Sequence, residues 1–103
     1  MTKKILYLTL KKPQFQVTFS REKQIEYRKH GNWIKSRLLN KDYDLVKFTN
    51  GYGSDKPFFV CKFLGWEYSR AGIHNFSNGL KVIVSEGDIA IKLGNIIESG
   101  NIK

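Results

Sequence analysis

Apolar and polar residues alternate along most of this chain, and alternation with a period of two is typical of β-strands that bury one face. In residues 4–10, for example, Leu6, Leu8 and Leu10 fall on the same side of the pleat. The same kind of pattern predicts further strands over residues 24–29, 43–49, 57–68, 80–84 and 89–93.

The breaks between these strands carry turn residues. Asn50, Gly51 and Gly53 predict a turn with positive backbone dihedrals, and Gly65 predicts a bulge or bend inside the longest strand. The segment 69–79 is rich in Gly, Asn and Ser and predicts a surface loop. We therefore expect a fold dominated by strands with short connections.

A helix is predicted over residues 33–39. Asn32 is placed to cap its start, and Ile34 and Leu38 share one face at helical spacing. Trp33 adjoins this face, so we expect it to pack in the core rather than to serve as a stacking platform for a base.

Residues 14–20 fit two structures. Phe15, Val17 and Phe19 alternate as in a strand, whereas Phe15 and Phe19 also lie on one face of a helix that has Pro13 near its first turn. The pattern alone leaves strand and helix open.

The positive charge is concentrated at the start of the chain. Residues 1–41 hold eleven Lys and Arg residues and two acidic ones, whereas residues 42–103 hold seven of each, so the net charge of +9 lies in the first part. A positive field there would attract phosphate groups, so it predicts nucleic acid or a nucleotide as partner. The alternative is that the charge only keeps the protein soluble. The contributing residues are Lys3, Lys4, Lys11, Lys12, Arg21, Lys23, Arg28, Lys29, Lys35, Arg37 and Lys41.

Length and composition indicate one globular domain over residues 1–103, with 41% hydrophobic and 14% aromatic residues. The single Cys61 lies in an apolar run, so we expect it in the core and the chain in a reducing compartment, the cytoplasm. No apolar stretch approaches the length of a membrane span, so no membrane partner is expected. His30 and His74 are isolated, and neither metal-ligand spacing nor a glycine-rich cofactor motif is present, so we expect no metal and no cofactor.

The segment 21–28 carries the candidate chemistry. Alternation turns Ile25 and Tyr27 to one face of a strand and Glu26 and Arg28 to the other. If the preceding element folds over Lys23, its ammonium can share a concave site with Glu26 and Arg28. In such a trio the arginine disfavours and the carboxylate favours the protonated lysine, so the amine can reach a chemically useful state. The alternative is an exposed strand face that carries ordinary charges.

The pattern Arg21-x-Lys23-x-x-Glu26-x-Arg28 resembles the hallmark of the ASCH domain family, Gly-x-Lys-x-x-Glu-x-Arg after a short helix. Arg21 replaces the glycine, and the other three positions match. Further blocks resemble small bacterial and phage-borne members of that family, so that the resemblance spans nearly the whole chain; they are residues 43–53, 57–60, 63–65 and 89–94.

The resemblance implies an α+β, PUA-like fold, which is a partly open β-barrel of five or six strands with two or three short helices. It also implies that residues 14–20 are helical and that Lys23, Glu26 and Arg28 lie at a cleft suited to an RNA segment or a single modified base. Some small members of the family hydrolyse N4-acylated cytidines with the motif lysine, a threonine where this chain has Glu26, and a distant glutamate. Others are described as ribonucleases.

Two classes of function follow as expectations. In a module that binds RNA or a nucleotide, with DNA also possible, cations contact phosphates and aromatic side chains stack on bases. The residues expected to bind nucleic acid are Lys11, Lys12, Arg21, Lys23, Arg28, Lys35, Trp66 and Tyr68. In a hydrolase, Lys23 is the base or nucleophile, Glu26 carries the proton and Arg28 stabilises the oxyanion. A third interpretation is an adaptor whose basic face binds an acidic protein. We expect the binding module, because Glu26 replaces the threonine of the hydrolases.

Overall fold

A computed structural model of the protein describes residues 3–39, 41–51, 53 and 55–102. Tyr52 and Ser54, within the predicted turn, lie outside the described residues. In this part of the chain the elements run in the order β1 (Ile5–Leu10), α1 (Lys12–Phe19), β2 (Ile25–Arg28), α2 (Asn32–Leu38), β3 (Leu45–Asn50), β4 (Phe58–Tyr68), β5 (Gly72–Asn75), β6 (Lys81–Val84) and β7 (Ile89–Gly100).

Five of these strands form one mixed sheet in the order β1-β3-β4-β7-β2. β1 and β3 run parallel and the other neighbours are antiparallel. The sheet curls into a half-barrel, and β5 and β6 form a separate two-stranded hairpin. The expected α+β class with a partly open barrel is therefore confirmed.

The core fills the concave side of this sheet. Leu6, Leu8 and Leu10 point inward from β1, as the alternation predicts, and α1 inserts Phe15 against the ring of Phe59 with 5.1 Å between the ring centroids. α2 contributes Ile34 and Leu38, which are buried on its predicted apolar face. Cys61 is also buried, as expected, and burial raises the pKa of its thiol to about 11.

The curling brings the two edge strands, β1 and β2, close to each other. The Nη2 atom of Arg28 on β2 donates a hydrogen bond of 2.9 Å to the carbonyl oxygen of Thr9 on β1. A side chain thus joins two edges that no backbone ladder connects, and this seam is where the partly open barrel comes nearest to closing.

Several glycines adopt the backbone expected of them. Gly51 and Gly53 have φ values of 88° and 122°, so the predicted turn is confirmed. Gly65 has a φ of 111° and lies where the β4–β7 register shifts between Phe63 and Trp66, which confirms the bulge.

Three local predictions are wrong. Residues 72–75, within the predicted loop, form β5 and pair with β6, because β6 supplies backbone partners that local composition does not reveal. Asn32 begins α2 instead of capping it, and Gly31 is the N-cap. Trp33 is 52% exposed rather than in the core, because Ile34 and Leu38 already fill the space beneath the helix. The strand alternative for residues 14–20 is also excluded, since they fall in or next to α1.

Candidate functional site

A tight turn after α1 places the motif lysine inside the protein. Arg21 has a φ of 72°, a left-handed conformation that favours glycine, and its Nη1 atom donates a hydrogen bond of 2.7 Å to the carbonyl oxygen of Gly94. The chain then passes beneath α1, where the backbone amide of Lys23 donates to the carbonyl oxygen of Val17 at 2.9 Å. The side chain of Lys23 consequently enters the interior.

Lys23, Glu26 and Arg28 form a continuous row of charges, called here the ion-pair row. Lys23 Nζ lies 2.5 Å from Glu26 Oε1, and Arg28 Nε lies 2.8 Å from Glu26 Oε2. Lys23 and Glu26 are each only 3% exposed. The alternative of an exposed strand face with ordinary charges is therefore wrong, because burial has removed two of the three groups from water.

Both oxygens of Glu26 are thus occupied by cations, and this satisfies a physical requirement. An ionised carboxylate away from water is tolerated only where partners replace its hydration. The guanidinium of Arg28 makes a second contact, because it hydrogen-bonds both the carboxylate of Glu26 and the carbonyl oxygen of Thr9 across the seam. The charges of the motif are therefore coupled to the closure of the barrel.

A cleft of about 510 Å³ opens at the seam, between the end of β1 and β2, and is called here the seam cleft. Glu26 and Arg28 reach it from the ion-pair row, and Lys11 and Lys29 add two further cations. Gln14 also faces it, and its Oε1 atom is buried with no hydrogen-bond partner among the described residues. The lining residues are Thr9, Leu10, Lys11, Gln14, Glu26, Tyr27, Arg28, Lys29 and Gly51.

A buried carboxylate orients the wall that carries Lys29. Asp88 accepts a hydrogen bond from the backbone amide of Ser85 at 2.8 Å and a longer one from that of His30, and its Oδ2 atom lies 3.3 Å from Lys29 Nζ. The Ser85 amide first, then the His30 amide and Lys29, lower the pKa of Asp88. The carboxylate therefore stays ionised at neutral pH and holds the segment that follows the motif.

The structure brings only some of the candidate residues to the seam cleft. Lys11, Glu26 and Arg28 line it, whereas Lys23 lies behind Glu26. Lys12 lines a neighbouring cavity, and Arg21 is engaged with the Gly94 carbonyl. Lys35, on α2, is not among the residues that line the seam cleft.

Trp66 and Tyr68 share the inner sheet face with the motif but stand two strands away. The register aligns Glu26 with Ile91 and Ile91 with Trp66, and the next row of that face contains Arg28 and Tyr68. Two strand spacings amount to roughly 10 Å. The two rings contact each other edge to face at 5.3 Å and lie outside the lining of the seam cleft.

Two pairs of the basic residues lie at opposite ends of β1. Lys4 and Lys41 line a shallow cavity at the start of β1. Lys11 and Lys29 lie at the other end of that strand, roughly 17 Å away at the usual rise of a β-strand. These two pairs of lysines are therefore well separated along β1.

Sequence reasoning missed most of the uncharged lining. Thr9 and Gly51 come together because β1 and β3 pair in parallel, with Leu10 opposite Asn50. No local sequence pattern predicts this pairing. Gln14 had no signal of its own, since the polar residues Gln16 and Thr18 lie in the same segment. Lys29 was part of the predicted charge field but not of the predicted site.

Within the described part of the chain, no group of three or more His, Cys, Asp or Glu side chains is arranged to hold a metal ion. No helix among the described residues is both long and apolar enough to cross a membrane. Comparison of the chain with protein-family models, with curated proteins and with solved structures gives no match.

Proposed function

We propose that this protein binds RNA or a nucleotide in the seam cleft. The observation that carries the proposal is the charge of the cleft. Lys11, Arg28 and Lys29 line it beside one carboxylate, Glu26, and when Lys23 behind Glu26 and Asp88 behind Lys29 are counted as well, the cations exceed the carboxylates by two. Such a surface attracts phosphate, and a volume of about 510 Å³ falls within the usual range for small-molecule sites.

The polar atoms of the cleft support recognition of a base as well as of phosphate. Gln14 is half-buried and its Oε1 atom is an unused acceptor, and a side-chain amide can present donors or an acceptor to a base edge. Glu26 retains acceptor capacity beside its two ion pairs and suits an exocyclic amino group. Cations therefore hold the phosphate, and Gln14 and Glu26 read the base.

In this proposal Lys23 is a positioning residue. Its ammonium is buried and directed at Glu26, so it fixes the carboxylate and neutralises it from behind. Arg28, which is partly exposed and lines the cleft, is the motif residue that contacts phosphate.

We also propose that the protein is a member of the ASCH family with a PUA-like fold. The positive φ at Arg21 supports this, because the family motif has glycine at the same position and glycine adopts that backbone without strain. The joining of Lys23, Glu26 and Arg28 in one row supports it further. A cytoplasmic location belongs to the same proposal and rests on the single buried thiol of Cys61.

The geometry favours binding over hydrolysis. A catalytic amine must reach its substrate, whereas Lys23 does not line the seam cleft and its Nζ atom donates a hydrogen bond to Glu26, which lies between it and the cleft. Hydrolysis of N4-acetylcytidine or of a short RNA, abolished equally by Lys23→Ala and Lys23→Arg, would overturn this ranking, since arginine keeps the charge but does not give up its proton.

The test compares two pairs of lysines that carry equal charge. Binding of a labelled single-stranded RNA is measured by fluorescence anisotropy for Lys11→Gln with Lys29→Gln, at the seam cleft, and for Lys4→Gln with Lys41→Gln, at the far end of β1. We expect the first pair to weaken binding roughly tenfold and to reduce the salt slope by about two, as for two lost phosphate contacts. The second pair should have little effect. Equal losses in the two variants, or RNA binding that does not depend on salt, would contradict the proposal.

A further inference from the structure

Trp33 occupies an unusual position for a tryptophan in a small domain. It is 52% exposed on α2, and the guanidinium of Arg37, one helical turn later, lies 5.2 Å from the centre of its ring. The exposed half of this apolar ring gains nothing from burial. The guanidinium above it stabilises one orientation of the ring by a cation–π interaction.

These two side chains form one wall of a groove of about 380 Å³ between α2 and β1, called here the α2 groove. The opposite wall contains Tyr7, which is 58% exposed, and Thr9. Thr49 pairs with Thr9 across the β1–β3 ladder and places a second hydroxyl beside it. The groove therefore combines aromatic rings, a guanidinium and hydroxyls, which are the groups that bind single-stranded nucleic acid.

The α2 groove adjoins the seam cleft. Thr9 lines both, and the backbone passes from Leu8 in the groove to Leu10 in the cleft within three residues. A chain of nucleotides that leaves the cleft along this edge of the sheet thus meets Trp33 and Arg37 next.

We propose that the α2 groove is a second subsite, which binds the nucleotide adjacent to the one held in the seam cleft, with its base stacked on Trp33 and its phosphate on Arg37. This inference rests on the proposed function. In this proposal the ligand is a single-stranded RNA longer than one nucleotide. Stacking on an indole is tolerant of base identity, so this subsite adds affinity while Gln14 and Glu26 in the cleft read the base.

The test separates the two sites by ligand length. Binding of an eight-nucleotide single-stranded RNA and of single ribonucleoside 5′-monophosphates is measured by isothermal titration for the full chain and for Trp33→Ala and Trp33→Phe. We expect Trp33→Ala to weaken binding of the RNA roughly tenfold, in line with the loss of one stacked base, and to leave monophosphate binding within twofold. Trp33→Phe should restore most of the affinity because it keeps a ring. Thermal unfolding of Trp33→Ala close to that of the wild type checks that the variant folds, as the exposure of Trp33 leads us to expect.

A spectroscopic arm reports on the ring itself. The chain has two tryptophans, and Trp66→Phe leaves Trp33 as the sole indole. Addition of the RNA should quench its fluorescence, whereas a monophosphate should not.

RNA affinity unchanged by Trp33→Ala, or lost equally for RNA and monophosphates, would overturn the second subsite while leaving the seam cleft in place. Failure of the wild type to bind either ligand would instead refute the proposed function, and the second subsite with it.

Discussion

The two faces of β2 are built in opposite ways. The inner face carries Glu26 and Arg28, joined to Lys23 in the ion-pair row. The outer face carries Ile25 and Tyr27, and the ring of Tyr27 stacks on His74 of the β5–β6 hairpin with 4.9 Å between centroids. In most sheets the apolar residues face the interior and the charges face water. Here the interior side of an edge strand is charged and the exterior side packs against rings.

This inversion separates a functional arrangement from a structural one. A buried ion pair contributes little net stability, because removing two charges from water costs about as much as their attraction returns. Stacked rings and apolar contacts on the outer face stabilise the fold directly. Stability therefore does not explain why the inner face carries charges. We propose that these charges serve the seam cleft beside them.

The largest loss of stability is expected from a substitution on the inner face. Glu26→Gln removes the counter-ion of Lys23, and an uncompensated buried charge should lower the free energy of unfolding by about 3 to 5 kcal/mol, measured by urea denaturation. The control is Lys23→Met combined with Glu26→Gln, which removes both charges and should be more stable than Glu26→Gln alone. A Glu26→Gln variant within about 1 kcal/mol of the wild type would mean that the ion-pair row contributes no such coupling.

A smaller effect is expected on the outer face. His74→Ala removes the ring stacked on Tyr27 and should lower the free energy of unfolding by about 1 kcal/mol, the usual magnitude for an aromatic pair. RNA affinity should stay within twofold of the wild type. His74 does not itself line the seam cleft, and although Tyr27 does, the cations proposed to hold phosphate are not in contact with His74. A larger loss of RNA affinity would show that the two faces of β2 are coupled and do not act separately.

The smallest effect concerns the link that holds the hairpin beside β2. Glu22 accepts hydrogen bonds from the hydroxyl and the backbone amide of Ser77, and these two bonds lower the pKa of Glu22 below its ordinary value of 4.5. A lowered pKa in the folded state stabilises the fold above pH 4.5 and ceases to do so as the carboxylate is protonated. The stability difference between the wild type and Glu22→Gln should therefore be present at pH 7 and shrink as the pH falls below 4.5 and the carboxylate is protonated.

Urea midpoints measured from pH 7 to pH 3 give this difference. Ser77→Ala removes the hydroxyl donor, so on that background Glu22→Gln should change the midpoint less. A difference that is constant over this pH range would mean that the Glu22 carboxylate does not contribute to docking of the hairpin.

Much of the local structure could be read from the chain. Alternation identified β1 with its inward Leu6, Leu8 and Leu10, and glycines marked the turn at Gly51 and the bulge at Gly65. These features depend on a few neighbouring residues, since periodicity and backbone preference act over short distances. The grouping of Lys23, Glu26 and Arg28 belongs to the same class, because all three lie within six consecutive residues.

Tertiary structure decided what those residues meet. Whether Lys23 is buried depends on α1 lying above it, and the seam depends on Arg28 reaching Thr9, nineteen residues earlier in the chain. Trp33 is exposed because the space under α2 is already filled, which nothing in the helical pattern of residues 33–39 reveals. Periodicity determines which side chains share a face of a helix or strand. The curling of the sheet brings together segments that are distant in the sequence, and no local pattern encodes their contact. The seam cleft is formed by that curling.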